Sequence, residues 1–347
     1  MAFELPPALD AAIARLSEGL SRRDLAARAR TISDTYRGGG TSKPIVGLTD
    51  ALAYALVRMP ATYAAVSAAL EALCEARPDF TPHALLDVGA GPGTASWAAT
   101  EAFASLDDFV LLDANAALLD LATRLAAGHD RLAQAGHRSG DAGRLLANAA
   151  PADLVLASYM IGEIGERERD TLADLLWEKT RDTLLVIEPG TPAGYQRIVD
   201  LRGRLIAQGA HVLAPCPHAN PCPLAPPDWC HFAQRLSRSR DHRIVKDAEL
   251  PFEDEKFSYV ALSRHPAPAR HARILARPLQ TKVAITAKLC TQTGVVAATV
   301  PRRDRQAYAE ARRWRWGDSV AHDPEKRAPI IGPDHAETKS APARQDR

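Results

Sequence analysis

The sequence predicts an α/β protein with a doubly wound, Rossmann-like sheet, and three observations support this fold class. Short apolar runs without a polar face alternate with helical segments between residues 84 and 208, which is typical of parallel strands buried on both faces. A glycine-rich turn follows the first run, and an acid ends the second. The chain has 347 residues, 46% hydrophobic and 24% charged, and no apolar run approaches the ~20 residues of a membrane span. This composition predicts a globular protein without a membrane partner.

Residues 1–80 are predicted to form a helical N-terminal region. Ser21 has the form of a helix N-cap, because an acid follows it three residues later. Thr49 is predicted to cap a second helix, and Pro60 to begin a third that ends near Ala76. Apolar side chains recur at helical spacing within this third segment.

Residues 81–264 are predicted to form the core domain. Its first four strands are four to six residues long and rich in Leu, Val and Ile, and helical segments separate them. The predicted strands are Ala84–Val88, Phe109–Leu112, Asp153–Ala157, Thr183–Ile187 and Phe257–Ser263, and the predicted helices are Thr94–Ala104, Ala116–Ala127, Glu166–Lys179 and Pro192–Gln208.

The C-terminal part is predicted to be a small basic extension, residues 265–317. Thr281–Leu289 and Val295–Val300 flank a short turn and predict a β-hairpin. Arg303–Arg315 predicts a basic helix. Residues 318–347 are polar and rich in proline, which predicts a disordered tail.

The glycine-rich turn, Asp87 to Gly93, predicts a site for a nucleoside cofactor. Its glycines let the backbone turn sharply and approach a ligand, and amide groups at the following helix face that ligand. Asp113 ends the second strand, where a carboxylate can accept both hydroxyls of a ribose. The turn lacks the third glycine of the dinucleotide fingerprint. Its form, Asp-Val-Gly-Ala-Gly-Pro-Gly, instead resembles the first motif of class I S-adenosylmethionine-dependent methyltransferases. This resemblance implies S-adenosylmethionine as the cofactor, while NAD or a nucleotide fold without ligand stay open.

The carboxyl edge of the sheet supplies the other predicted site residues. Asp141 follows a third strand and can reach the adenine, although a solvated loop acid is an equal alternative. Glu163 is a candidate base or a helix-start acid, and Glu188 is expected to line the same crevice. No catalytic residue is assigned. The predicted cofactor-binding residues are Asp87, Gly89, Ala90, Gly91, Gly93, Asp113, Asp141 and Ser158.

Four of the five cysteines predict a metal site: Cys216, Cys222, Cys230 and Cys290. Three of them lie in a loop, residues 211–231, whose prolines exclude a helix or a central strand. Four thiolates can bind Zn²⁺ or an iron–sulfur cluster, and the wide, irregular spacing suits the cluster better. His218 and His231 are alternative zinc ligands. Ordinary cysteines, or a catalytic thiol that attacks a pyrimidine ring, remain open alternatives.

Charge is distributed unevenly along the chain. The net charge is +1, yet Arg264 to Trp316 holds 12 Lys/Arg against two acids. Such a basic block indicates a polyanion partner. Arginines alternate with Trp314 and Trp316, and guanidinium groups can bind phosphates while indoles stack on unpaired bases. The alternative is an amphipathic helix whose tryptophans pack inward.

Together these segments resemble the methyltransferase-like family of the mitochondrial small ribosomal subunit, and a bacterial member of it. The resemblance covers roughly residues 37 to 318. It rests on Met59-Pro60-Ala61-Thr62-Tyr63, Asp87–Gly93, Cys216-Pro217-His218, Cys222-Pro223-Leu224, Trp229-Cys230-His231-Phe232, Cys290, Tyr308, Ala311-Arg312 and Trp316-Gly317-Asp318.

The resemblance implies a class I methyltransferase fold and a role with small-subunit rRNA during ribosome assembly. It also implies that Cys216, Cys222, Cys230 and Cys290 bind a [4Fe-4S] cluster. The N-terminal residues lack the features of a secretory or import signal, so a cytoplasmic bacterial protein is expected, as a monomer. Two hypotheses follow: an S-adenosylmethionine-dependent RNA methyltransferase, or a non-catalytic rRNA-binding assembly factor with a structural iron–sulfur or zinc site.

Overall fold

The computed structural model describes residues 3–246, 248–266 and 271–320, and in these ranges the strands form two sheets. The helices are α1 Pro7–Leu16, α2 Arg22–Arg37, α3 Leu48–Ala76, α4 Thr94–Ala102, α5 Ala116–Ala126, α6 Ala142–Ala147, α7 Glu166–Glu178, α8 Pro192–Ala207, α9 Arg240–Lys246 and α10 Arg305–Ala311. The strands are β1 Ala84–Val88, β2 Asp108–Asp113, β3 Gly136–Ser139, β4 Ala152–Ser158, β5 Thr180–Pro189, β6 His211–Ala214, β7 Phe232–Ser237, β8 Phe252–Ser263, β9 Ala272–Ile274, β10 Leu279–Gln280, β11 Ala284–Thr291, β12 Gly294–Pro301 and β13 Ser319–Val320.

The larger sheet has the strand order β3-β2-β1-β4-β5-β8-β6, with β7 paired to the first half of β8. Strands β1 to β5 are parallel, and β8 runs antiparallel to both β5 and β6. The strand order reverses between β1 and β4, so ligands are expected at the carboxyl ends of these strands. The predicted doubly wound sheet is confirmed.

Helices cover both faces of this sheet, as the apolar strand runs require. On one face α3, α4 and α5 pack together, and their core includes Leu73 and Trp97. On the other face α6, α7 and α8 pack around Trp177 and Leu205. Because both faces are covered, residues such as Val155 have no access to solvent, which explains the absence of a polar face in the sequence.

The N-terminal helices differ from the prediction at α3. Helix α3 begins at Leu48, and the Asp50 carboxylate accepts hydrogen bonds from the N–H groups of Val46 and Gly47, so Thr49 is not its cap. Pro60 lies inside this helix and does not begin a new one. Burial on both sides of the proline offsets its missing backbone donor. The predicted cap at Ser21 is confirmed by a 3.4 Å bond from the Asp24 N–H.

Two strands and a helix were not predicted between α8 and β8. Residues 211–214 of the predicted cysteine-rich loop form β6, which lies at an edge of the sheet and is therefore compatible with the proline that follows it. Strand β7 and helix α9 carry mixed polar sequences without a clear period, which is why sequence pattern did not indicate them.

The smaller sheet has the order β10-β11-β9-β13, with β12 paired to β11. Strands β11 and β12 form the predicted hairpin, in register from Ala284↔Pro301 to Thr291↔Gly294. The predicted basic helix is shorter than expected, because α10 ends at Ala311. Most of the predicted disordered tail, from residue 321 onward, lies outside the described residues. Among the described helices, none has the length and apolar character to cross a membrane.

Candidate cofactor cleft and thiol cavity

The glycine-rich turn between β1 and α4 is a tight, left-handed backbone path. Gly89 and Gly91 have φ angles of 70° and 54°. A Cβ atom on Gly89 would lie 2.5 Å from the Cβ of Met160, so only glycine fits there. The N–H groups of Gly89 and Ala90 donate to the Leu112 carbonyl at 2.8 and 3.0 Å, which fixes the turn over the end of β2.

Asp113 is positioned by this turn. One oxygen of its carboxylate accepts the Gly91 N–H at 2.7 Å, and the other accepts the Asn115 N–H at 2.7 Å. Burial raises the pKa of Asp113, and these two backbone donors act against that rise. Each carboxylate oxygen has two lone pairs, so each can still accept a further hydroxyl.

A cleft of about 390 Å³ opens at the carboxyl ends of β1, β2 and β4. The structure brings five of the eight predicted cofactor-binding residues to its wall: Gly89, Ala90, Gly91, Asp113 and Ser158.

Asp87, Gly93 and Asp141 are not among the residues that line this cleft. The fully buried Asp87 carboxylate accepts the N–H and the hydroxyl of Ser96 at 3.1 and 2.8 Å, which ties β1 to α4. Burial raises the pKa of Asp87 to about 7. Asp141 caps α6 through the Arg144 N–H at 2.9 Å, and its neighbour Ala142 is the residue that lines the cleft.

The N-terminal region supplies a wall of the cleft that sequence reasoning missed. Residues 41–43 line it, together with Tyr36 and Tyr54. The Asn115 side-chain amide donates to the carbonyls of Ser42 and Ile45, both at 3.0 Å. These contacts join residues 70 and 73 positions apart, so no local pattern in the sequence indicates them.

Glu163 contacts the same wall of the cleft. It lies at the end of a short 3-10 turn after β4, and its carboxylate accepts the Ser42 N–H at 3.1 Å. Burial raises the pKa of Glu163, and the bonds from Ser42 and Tyr36 lower it in turn. The carboxylate of this candidate base therefore already accepts a hydrogen bond in the structure.

The backbone is strained directly after the end of β4. Tyr159 has a φ of 57°, a conformation that costs a non-glycine residue of order 1–3 kcal/mol. Its N–H donates to the Ile187 carbonyl on β5 at 2.7 Å, and its hydroxyl donates to Glu255 on β8 at 3.0 Å, so contacts to these two strands fix it. The fully buried Glu188 accepts the Ile161 N–H at 3.1 Å and pairs with Arg197 at 2.6 Å. Glu188 thus supports the turn beneath the cleft.

The four predicted metal ligands line one cavity of about 30 Å³: Cys216, Cys222, Cys230 and Cys290. The Tyr195 hydroxyl donates to the Cys222 Sγ at 3.1 Å, and the Cys290 Sγ lies 3.5 Å from the His218 Nε2. Burial and then the three other thiols raise the pKa of Cys230 well above its ordinary value. In the described ranges, no three His, Cys, Asp or Glu side chains are arranged to hold a single metal ion.

Two buried arginines face the thiols. Arg202 donates to the carbonyls of His218 and Asn220 at 2.7 and 3.0 Å. Arg273 donates to the carbonyls of Pro215 and Gly317 at 3.0 and 2.6 Å, and so joins the cysteine loop to the C-terminal end. No carboxylate is among the described residues that line the cavity. Burial raises the pKa of Cys290 as well as that of Cys230, and the positive charge of Arg273 acts against this rise at both thiols.

The tryptophans of the basic end pack inward, as the alternative to base stacking predicted. Trp314 is half-buried against the smaller sheet. Trp316 is half-buried and packs edge-on against His231, with ring centroids 4.9 Å apart, and His231 stacks on Trp229. His231 therefore belongs to an aromatic cluster and does not line the thiol cavity, whereas His218 does.

The strand order and the glycine-lined cleft at its reversal point define a protein with the class I methyltransferase fold. The chain belongs to the Rsm22 family, described as mitochondrial small ribosomal subunit Rsm22, which matches residues 48–321. The predicted family resemblance is thereby confirmed.

A curated relative and two solved structures complete the comparison. The human mitochondrial ribosome assembly protein METTL17 is 30% identical over 293 residues, 77% of this chain and 61% of that protein, so the chain spans about three fifths of its relative. Magnesium protoporphyrin IX methyltransferase from Synechocystis with bound S-adenosylmethionine is 13% identical, with a TM-score of 0.38, and the match covers 59% of this chain and 80% of that one. An O-methyltransferase family protein from Burkholderia thailandensis is 13% identical, with a TM-score of 0.40, covering 63% and 60%.

Proposed function

We propose that this protein binds S-adenosylmethionine in the cleft and takes part in the assembly of the small ribosomal subunit by contacting its rRNA. One observation carries the cofactor proposal: the Gly89–Gly91 turn, the Asp113 carboxylate and Ser158 line a single cleft where the strand order reverses. Membership of the Rsm22 family and the likeness to METTL17 support the ribosomal role.

The residues of the cleft have separate tasks in this proposal. Asp113 accepts the two ribose hydroxyls, the Gly89–Gly91 backbone approaches the amino acid part, and the loop at Asp141 and Ala142 borders the adenine. When bound, S-adenosylmethionine supplies a methyl group activated by its sulfonium. The wall formed by residues 41–43 excludes water and orients the bound molecule.

The thiol cavity is proposed to bind a [4Fe-4S] cluster through Cys216, Cys222, Cys230 and Cys290, with zinc as the alternative. The donor chemistry fits, because four thiols converge beside two buried arginines. The cluster would link the cysteine loop to β11, where Cys290 lies.

Binding of S-adenosylmethionine is tested with Asp113→Asn. The substitution removes a charged acceptor that serves ribose hydroxyls, and a charged hydrogen bond contributes about 1.5–3 kcal/mol. We expect affinity measured by titration calorimetry to fall roughly 10–100-fold. Asp120→Asn is the matched control, since Asp120 is an exposed acid on α5 that pairs with Arg124. Equal affinities of the two variants would contradict the proposed cofactor site.

The catalytic and non-catalytic hypotheses are separated in cells. The second is favoured by one observation: Glu163 and Tyr159, polar residues at the cleft, are already bonded to Ser42 and Glu255. Methylation of small-subunit rRNA is compared in a deletion strain and an Asp113→Ala strain. Loss of one methyl group in both strains supports catalysis. Failed assembly with every methyl group retained supports the assembly factor.

A further inference from the structure

An open groove of about 720 Å³ lies on the smaller sheet and shares no lining residue with the cofactor cleft. Lys282 stands on the turn between β10 and β11, and Arg302 follows β12 directly. The Arg302 N–H donates to the Val283 carbonyl at 2.8 Å, which places both basic residues at the same end of the hairpin. Tyr308 on α10 and Arg312, which caps the C-terminal end of that helix one turn later, complete the groove.

The described residues that line the groove include cations and no acid. No carboxylate is among its lining residues, and the Lys282 and Arg312 side chains form no ion pair or hydrogen bond with any described residue. The Arg302 guanidinium makes one long bond, 3.4 Å, to the Lys282 carbonyl. All three basic side chains are exposed. Like charges held together without a counter-charge are stabilised by an anionic partner.

The remaining side chains suit a nucleic acid strand. The Tyr308 hydroxyl and the Gln280 amide have no partner among the described residues, so they can bond to sugar or base oxygens. Arginine binds phosphate bidentately, whereas lysine acts as a point charge.

We propose that the groove formed by Lys282, Arg302, Tyr308 and Arg312 binds the phosphodiester backbone of RNA. The proposal rests on the proposed rRNA contact and names its site. It assigns the contact to this groove and not to the exposed arginines elsewhere in the basic end, namely Arg303, Arg305, Arg313 and Arg315. Because phosphates are present at every nucleotide, the site reads no sequence, and its specificity comes from RNA shape.

Two triple variants of the full chain test the site. The groove variant carries Lys282→Ala, Arg302→Ala and Arg312→Ala. The control carries Arg303→Ala, Arg305→Ala and Arg313→Ala, which removes the same charge from exposed positions outside the groove. Binding to a small-subunit rRNA transcript is measured by fluorescence anisotropy at several salt concentrations, and thermal melting confirms that both variants are folded.

We expect the affinity of the groove variant for RNA to fall at least about 10-fold. The slope of log K against log salt concentration should become shallower by about 2–3, because each phosphate contact contributes about 0.7–0.9 to that slope. The control should change the slope by less than ~1. Equal losses in both variants would overturn the groove site and leave rRNA binding by the basic end intact. A wild-type protein that binds no rRNA would overturn the proposed rRNA contact as well. Displacement of RNA by polyglutamate at equal charge concentration would overturn RNA as the ligand in favour of an acidic protein.

Discussion

Replacing Asp87 by asparagine should make the stability of the protein less dependent on pH. The Asp87 carboxylate is fully buried, and its pKa is raised from 3.8 to about 7, first by burial. In the unfolded chain the group ionises near its ordinary value. The folded state therefore holds a proton that the unfolded state has lost between about pH 4 and pH 7.

The direction and size of the pH effect on the free energy of unfolding follow from this difference in bound protons. A raised acid pKa gives stability that is fully present below the unfolded pKa and is lost as the pH rises to the folded value. Each pH unit in that window removes about 1.4 kcal/mol. Between pH 5 and pH 8 the wild type should lose about 3 kcal/mol relative to Asp87→Asn, whose side-chain oxygen can still accept both bonds from Ser96.

Urea unfolding of both proteins at pH 5, 6, 7 and 8 measures this difference in the free energy of unfolding. Asp120→Asn, on the exposed surface of α5, is the control and should show no such trend. A difference between wild type and Asp87→Asn that stays constant across the range would refute the reasoning, because it would mean that Asp87 ionises alike in the folded and unfolded chains.

Two further predictions concern the thiol cavity and the wall of the cleft. Anaerobically purified protein should be brown and contain iron, and the Cys222→Ser variant should lose the colour and the iron while it still binds S-adenosylmethionine. Colourless wild-type protein with stoichiometric zinc would show that the site binds zinc and not iron. Wild-type protein without metal would contradict the metal site. The Asn115→Ala variant loses the two hydrogen bonds to residues 42 and 45 and the N-cap of α5, so local stability should fall by roughly 1–3 kcal/mol. The loss should be measured as faster amide hydrogen exchange in residues 42–46. Unchanged exchange there would contradict the role of Asn115.

The core of the fold could be predicted because its signals are local. Val155 and its neighbours on β4 are apolar without alternation, and that pattern arises only where both faces of a strand are covered. The turn at Gly89 and Gly91 has a left-handed backbone, which glycine adopts most easily, so the glycines themselves indicate the conformation. Asp113 was found for the same reason, as an acid at a fixed place after a predicted strand.

What the sequence by itself determined was thus the alternation of strands and helices in the core, the glycine turn, Asp113 and the basic character of the C-terminal end. Only the tertiary structure decided that Pro60 lies inside a continuous helix, that residues 41–43 form a wall of the cleft, and that Arg202 and Arg273 face the thiols. The physical reason is distance along the chain. Burial patterns and turn preferences act between near neighbours, whereas the bonds from Asn115 to Ser42 and from Arg273 to Pro215 join segments that meet only when the whole chain has folded.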